Sequence, residues 1–511
     1  MKLKYIMFAW ALLLTSCQEN FLSLTPDSEL GADDFYQTEE QFTQALAGVY
    51  QALRSTVGES GYLMGEMRSD NTHYDYYAPD RGIHIVRREN IDDMLDDSQN
   101  QWTNEYFNAS YIGIARANTI IDRIEMAQID EAAKNTIIGQ AKFLRAYFYF
   151  NLVRYFGEVP LYLNEVTNEQ QAFLPKSAIP EIYEVIIEDL KQAIEKLAKP
   201  NFPQDGKITK GAASTLLADV YMTKKDFAAA LPLLKQVQEM GYSLLPNYAD
   251  VFEPSRKNNT ESIFEIQFMM GDQGQHSMFS YWFIPKSNNV ALITGIESNT
   301  LNYGGFNVPT EDMISAYEEG DTRENGSIGI AEGIIAADGS FVIQAVKQSD
   351  GYVKPTGKTA KPFVKKYLHS HNRERNTDDN WPIYRYSNVL LMLAECLNET
   401  GKATEALAPL NMVRKRAGGQ LPAINSTDKS RLARLILKER RVEMAFENHR
   451  WHDLIRTDNA IEVMNAHGEQ MKAKYGHIAA NAYKLTAERL IFPIPYLELQ
   501  LNNLLTQNKG Y

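Results

Sequence analysis

Residues 70–81 read DNTHYDYYAPDR. Three tyrosines, Tyr74, Tyr76 and Tyr77, share this short stretch with Asp70, Asn71 and Arg81. That mixture has the chemistry to recognise a sugar, which presents apolar C–H faces and a rim of hydroxyls. Ring faces meet the first, and fixed donors and acceptors meet the second. A second group of the same kind lies in residues 279–306, with Tyr281, Trp282, Asn302 and Tyr303. Both groups also have an architectural reading. The tyrosines of 70–81 can pack their loop onto a scaffold while Asp70 and Asn71 cap backbone groups. The 279–306 aromatics can form a small core beneath a long insertion.

Other chemistries are poorly supported. His449 and His452 stand three apart in HRWHD, but zinc needs three or four convergent ligands and no second cluster supplies them at a recognisable spacing. No metal and no cofactor is therefore expected. Asp92 to Asp97 (DDMLDD) lacks the alternating ligands and central glycine of an EF-hand loop, and reads as a solvated acidic helix start. Glu439 to Glu443 (ERRVE) reads as an ion-paired helix surface. The chain has no G-x-S-x-G, H-E-x-x-H or Walker-type phosphate loop. A glycosidase-like pair of carboxylates stays open among the 65 acidic residues. A net charge of -13 argues against a nucleic-acid partner, which calls for a basic footprint.

Such loops need elements to hold them. The most heavily apolar stretch, 137–163, reads IIGQAKFLRAYFYFNLVRYFGEVPLYL. Apolar side chains cover it most of the way round, so it predicts a helix buried on several sides, with Gly157 at its end and Pro160 barring continuation. Amphipathic spacing predicts further helices over 35–54, 102–126 and 179–197, and one long helix over 432–456. Residues 58–97 show no clean period and predict a long ordered loop. Leu217–Leu234 and Leu393–Leu410 align without gaps, with Ala218 matching Ala394 and Ala230 matching Ala406. This is the helix–turn–helix logic of tetratricopeptide repeats, at an irregular period. Residues 242–383 form a loop-rich insert with a strand from Ser262 and a hairpin around Ala337-Asp338-Gly339. The predicted fold is mostly α: an irregular tetratricopeptide-like helical scaffold (31–241 and 384–511) with a loop-rich insert carrying short β-hairpins, all one domain.

The first residues, MKLKYIMFAWALLLTSC, pair a basic start with an apolar run too short to span a bilayer. Leu14-Thr15-Ser16-Cys17 resembles the bacterial lipobox. By that resemblance residues 1–16 are a cleaved signal peptide, Cys17 carries the lipid (palmitate among its chains) and residues 17–30 are a tether. The one other cysteine is Cys396, so a lipidated Cys17 leaves no disulfide.

Five separated segments are similar to one family, the SusD/RagB outer-membrane lipoproteins of Bacteroidetes. They are the lipobox at Cys17; LRAYFYFNLVRYFGEVPL from Leu144; YRYSNVLLMLAECLN from Tyr384, followed by Arg414-Lys415-Arg416-Ala417-Gly418; Glu439-Arg440-Arg441 with Arg450-Trp451-His452-Asp453-Leu454; and Phe492-Pro493-Ile494-Pro495 with the tail ending at Tyr511. They occur in the family's order from end to end. Lys509 stands where the family often has Pro, and Gln18-Glu19-Asn20 is less acidic than the usual surface-export signal. The resemblance implies a non-catalytic, lipid-anchored protein of the outer membrane. Such a protein captures oligosaccharides or polysaccharides at the cell surface and delivers them to a TonB-dependent, SusC-like barrel transporter. It also implies that the 70–81 loop contributes ligand contacts, with Tyr76 and Tyr77 about where a stacking aromatic is expected. The glycan-binding candidates are then Asp70, Asn71, Tyr74, Tyr76, Tyr77, Arg81, Tyr281, Trp282 and Tyr303. Two alternatives share the architecture: a RagB-like protein capturing oligopeptides, and a surface adaptor that binds only protein.

Overall fold

Phe42, Leu46, Val49 and Leu53 recur three or four apart and bury one face of the first helix, α1 (Glu39–Gly58). The structure is a computed structural model that describes residues 35–58 and 60–511. The signal peptide, Cys17 and the tether lie outside the described residues. Next come α2 (Ile83–Asp92), α3 (Gln101–Ile124) and α4 (Glu131–Phe156). The last of these is the beam expected from its composition. From Ile137 to Phe156 only Lys142 and Arg154 escape full burial. Asp130 caps its start by accepting from the backbone N–H groups of Ala132 and Ala133, and Gly157 ends it at φ +73°.

The scaffold continues as α5 (Ile179–Lys196), α6 (Lys210–Thr223), α7 (Phe227–Gln238), α8 (Tyr386–Glu399), α9 (Ala403–Arg416) and α10 (Lys429–Glu443). The order of packing is α1 on α3, α3 on α4, and then each helix on its successor through α9. α10 closes on α8. The aligned pairs α6–α7 and α8–α9 are the two repeat-like hairpins. Ala218, Ala230, Ala394 and Ala406 have no exposed surface, so the helices cross where side chains are smallest. Their turns pass through left-handed backbone at Lys225 (φ +61°) and Gly401 (φ +79°).

Strands are short and lie mainly in the insert. Besides a small pair, Val159–Pro160 with Lys176–Ser177, they are β1 (Thr72–His73), β2 (Ser262–Ile266), β3 (Val308–Pro309), β4 (Ile328–Ile335), β5 (Phe341–Gln348), β6 (Thr359–Val364) and β7 (Trp381–Arg385). β5-β4-β6 form an antiparallel sheet, and β2 pairs with β7. β1 pairs antiparallel with β3, Thr72 opposite Pro309 and His73 opposite Val308, which ties the Tyr-rich stretch to the insert. After α10 come α11 (Arg450–Arg456) and α12 (Ala460–Lys474), with a short helix, Tyr496–Leu501, near the end. No helix among the described residues is long and apolar enough to cross a membrane.

Four expectations change. Residues 58–97 are not one loop: they hold a π-helical turn, Leu63–Met67, and α2. α2 escaped the periodicity reading because it turns Arg88, Glu89 and Asp92 inward along with Ile85 and Ile91. The helix expected over 432–456 is broken between α10 and α11. Phe446 (φ +66°) and Asn448 (φ +70°) turn the chain there, and both donate backbone N–H groups to the buried Glu66 carboxylate. ERRVE is not a helix surface, since Glu439, Arg440 and Glu443 are buried. Glu443 meets Arg323 at 3.1 Å and Arg385 at 3.0 Å, and also pairs with Arg416. Nor is Asp92–Asp97 solvated: Asp92, Asp93 and Asp96 are buried.

Candidate functional site

The 70–81 segment is held at its start by charge. Arg450 donates to both Asp70 carboxylate oxygens, at 2.7 and 2.8 Å, and Arg441 lies 3.0 Å away. These guanidinium groups hold the Asp70 carboxyl down at about 2 against the cost of its burial. Asn71 donates to Glu66 Oε1 at 2.8 Å and accepts from Arg441 Nε at 2.8 Å. Both residues are buried, and both are spent on anchoring the loop to α10, α11 and the π-turn. The structure therefore corrects their place: they lie beneath the candidate surface and are not on it.

Beyond this anchor the chain rises along β1 into a cleft. One part, about 660 Å³, runs from His73 and Tyr74 past Thr310 to Tyr352, with α12 and Tyr475 along its side. A second part, about 310 Å³, continues to Tyr76, Lys361 and His477. Tyr74, Val308, Ala360, Pro362 and Tyr475 border both parts, so the two form one groove. Its walls come from the Tyr-rich stretch, the insert around β3 and β6, and α12 with the segment after it.

The groove is lined by rings. Tyr76 stacks on His477, centroids 4.1 Å apart and 14° from parallel. Tyr475 stacks on His73 at 5.1 Å, and Tyr74 lies tilted against His477 at 5.6 Å. The Arg81 guanidinium sits 4.5 Å from the Tyr76 centroid and pairs with Glu89 at 2.5 Å. Tyr76 therefore carries both the His477 ring and the Arg81 guanidinium against it. Burial, with His73 and Arg81 nearby, pulls His477 down to about 4, so it stacks as a neutral imidazole at pH 7. Tyr352 is half-buried and donates to Glu332 at 2.9 Å. The acids on the groove are matched by cations: Asp75 with Lys361, Glu311 with Lys474 at 2.8 Å, and Asp312 with Arg441 at 2.6 Å.

The second expected group is not brought to the groove. Tyr281 is fully buried, its hydroxyl 2.7 Å from His371 Nε2. Trp282 is buried against the Arg88 guanidinium, 3.9 Å from its ring. Tyr303 is half-buried, hydrogen-bonded to Ser298 and Glu374. Tyr281 and Trp282 both serve packing: Tyr281 sits in a small satellite core with Ile284, Val290 and Phe341, and Trp282 joins the main core. Tyr77 lies beside this region, 5.9 Å from the Lys286 ammonium. What sequence reasoning missed is Tyr475, His477 and Tyr352, which carry no local signal and join the site only through folding. Among the described residues, metal-ligating atoms converge at His73, Asp92 and Asp93, and not at the HRWHD run.

Comparison with known proteins places this architecture. Residues 260–511 match the model of the SusD family, and residues 20–222 match a family described as "Starch-binding associating with outer membrane". A SusD-like protein P25 of Formosa agariphila is 27% identical, covering 97% of this chain and 97% of that protein. A SusD-like protein of Bacteroides ovatus is 25% identical, covering 89% of this chain and 82% of that protein. Among solved structures, a laminarin-binding SusD-like protein is 25% identical with a TM-score of 0.73, covering 93% of this chain and all of that one. Surface glycan-binding protein A from Bacteroides fluxus, 23% identical with a TM-score of 0.74, shares the fold over 93% of this chain.

Proposed function

Since the chain belongs to the SusD family, we propose that it is a non-catalytic, lipid-anchored glycan-binding protein of the outer membrane. Cys17 carries the anchor. The groove between Tyr76 and Tyr352 captures an oligosaccharide or a polysaccharide segment, and a TonB-dependent, SusC-like barrel transporter receives it. The observation that carries this reading is the groove itself: a concave surface of sugar-chain dimensions, walled by tyrosines and rimmed by polar groups. The starch-binding description of one matching family and the laminarin-binding neighbour support a carbohydrate ligand.

Glycoside hydrolysis uses a pair of carboxyls flanking the scissile bond, whereas the groove acids Asp75, Glu311 and Asp312 are each engaged by a Lys or Arg. Calorimetric titration of the chain from residue 18 onward against a panel of oligosaccharides tests the proposal. Saturable binding without release of shorter sugars is the expected result. Binding of oligopeptides with none of any sugar transfers the same groove to peptide capture. Co-purification with a barrel and no small-molecule binding at all points to a protein-only adaptor.

A further inference from the structure

Behind the groove wall lies a cluster that glycan capture leaves unused. His73 in β1, Asp92 at the end of α2 and Asp93 after it each place one nitrogen or oxygen within 4.8 Å of the others. Their exposures are 3%, 1% and 6%. Hydrogen bonds satisfy only part of the cluster. His73 Nδ1 meets Asp92 Oδ2 at 2.6 Å, and the Tyr483 hydroxyl donates to the same oxygen at 2.7 Å. The Tyr74 hydroxyl donates to Asp93 Oδ2 at 3.0 Å. His73 Nε2, Asp92 Oδ1 and Asp93 Oδ1 are buried without any partner. Among the described residues neither carboxylate has a Lys or Arg within ion-pair distance; the pair Asp92 makes is with His73.

Two adjacent buried carboxylates without a cation are an expensive arrangement. Asp70 and Glu443, which are also buried, are matched to guanidinium groups. Arg68, whose charge reaches Asp92, pairs instead with Asp96 at 2.6 Å. A positive ion held among these three residues would offset that cost.

We propose that His73, Asp92 and Asp93 bind a divalent transition-metal ion of the zinc class. One imidazole nitrogen with two carboxylate oxygens is a donor set suited to zinc or manganese. Calcium takes six to eight oxygens and magnesium an octahedron of oxygens and waters, so the nitrogen counts against both. The Tyr74 and Tyr483 hydroxyls orient the two carboxylates, the part outer hydrogen bonds play at metal sites. The ion joins β1 to the end of α2, and His73 and Tyr74 are themselves groove residues. Metal binding therefore stiffens the groove wall from behind without touching the sugar.

The test uses the chain from residue 18 onward, stripped with chelator, dialysed, and titrated with zinc chloride alone by calorimetry, with melting followed in parallel. The expected result is binding of about one ion per chain and a melting temperature raised by several degrees. Asp93→Asn keeps an acceptor for Tyr74, and His73→Gln keeps a polar group in place; each should lose both responses. Because either change can lower stability, the titrations are run well below the variants' own melting points, with circular dichroism confirming the fold. No heat and no stabilisation from zinc or manganese in the unaltered chain overturns the proposal. So does a response that survives in both variants, which places the ion elsewhere, and so does stabilisation by calcium alone.

Discussion

Asp70 and Tyr475 mark the two kinds of residue around the groove. Asp70 sits under it with its charge fixed by Arg450 and Arg441. Asp70→Ala leaves those guanidinium groups without their carboxylate, and removing one partner of a buried pair costs about 3 kcal/mol or more. Chemical denaturation should show that loss. Tyr475 is half-buried on the groove wall, backed by His73. Tyr475→Ala removes a ring face worth roughly 1 kcal/mol of contact, so affinity for a bound oligosaccharide falls about fivefold while the melting temperature moves little. Tyr76→Ala should weaken binding similarly. Tyr281→Phe is the contrast: it deletes the bond to His371, destabilises by roughly 1 kcal/mol, and leaves sugar affinity unchanged. If Tyr475→Ala and Tyr76→Ala bind normally but melt far lower, the groove is not the ligand site. Of the nine residues expected from sequence, Tyr74 and Tyr76 border the groove and Arg81 clasps Tyr76. Asp70, Asn71, Tyr281 and Trp282 are interior. Residue type was readable; burial was not, because a tyrosine or an aspartate suits a paired interior as well as a wet surface.

At the scale of elements, α4 behaves as its composition demanded. Leu144 has no exposed surface, and Leu144→Ala should cost roughly 2–5 kcal/mol through the cavity it leaves. The repeat hairpins call for the opposite experiment. Ala394 is fully buried on α8, which packs against α7 and α9. Ala394→Leu overfills that crossing and should destabilise by about 1–3 kcal/mol, read from the denaturation midpoint. Both helices were visible in sequence because an apolar pattern is a local property. α2 and the α10–α11 break were not. α2 buries Arg88, Glu89 and Asp92, and the break is held by Glu66 from far earlier in the chain. Polar groups satisfied by distant partners erase the period on which helix reading depends.

For the whole molecule, the buried charges set the response to acid. Asp70 and Glu443 are each held down at about 2 by arginines, from ordinary values of 3.8 and 4.5. A depressed carboxyl gives stability that is complete above its unfolded value and is lost as pH falls through its folded one. Glu66, pushed up to about 7 by burial, works the other way between pH 7 and 4.5. Melting temperature should therefore hold steady or rise slightly from pH 7 to 4.5 and drop steeply from about pH 4 to 2; a steep loss already at pH 6 contradicts this assignment. A helical scaffold and its repeat-like hairpins are legible along the chain, because apolar spacing and ordered motifs are local properties. Where the groove lies and which residues face it follow from folding alone. Tyr76 meets His477 and His73 meets Asp92 through contacts that exist once β1 pairs with β3 and the segment after α12 closes over them. Those meetings depend on distances in space, and no spacing in the sequence encodes them.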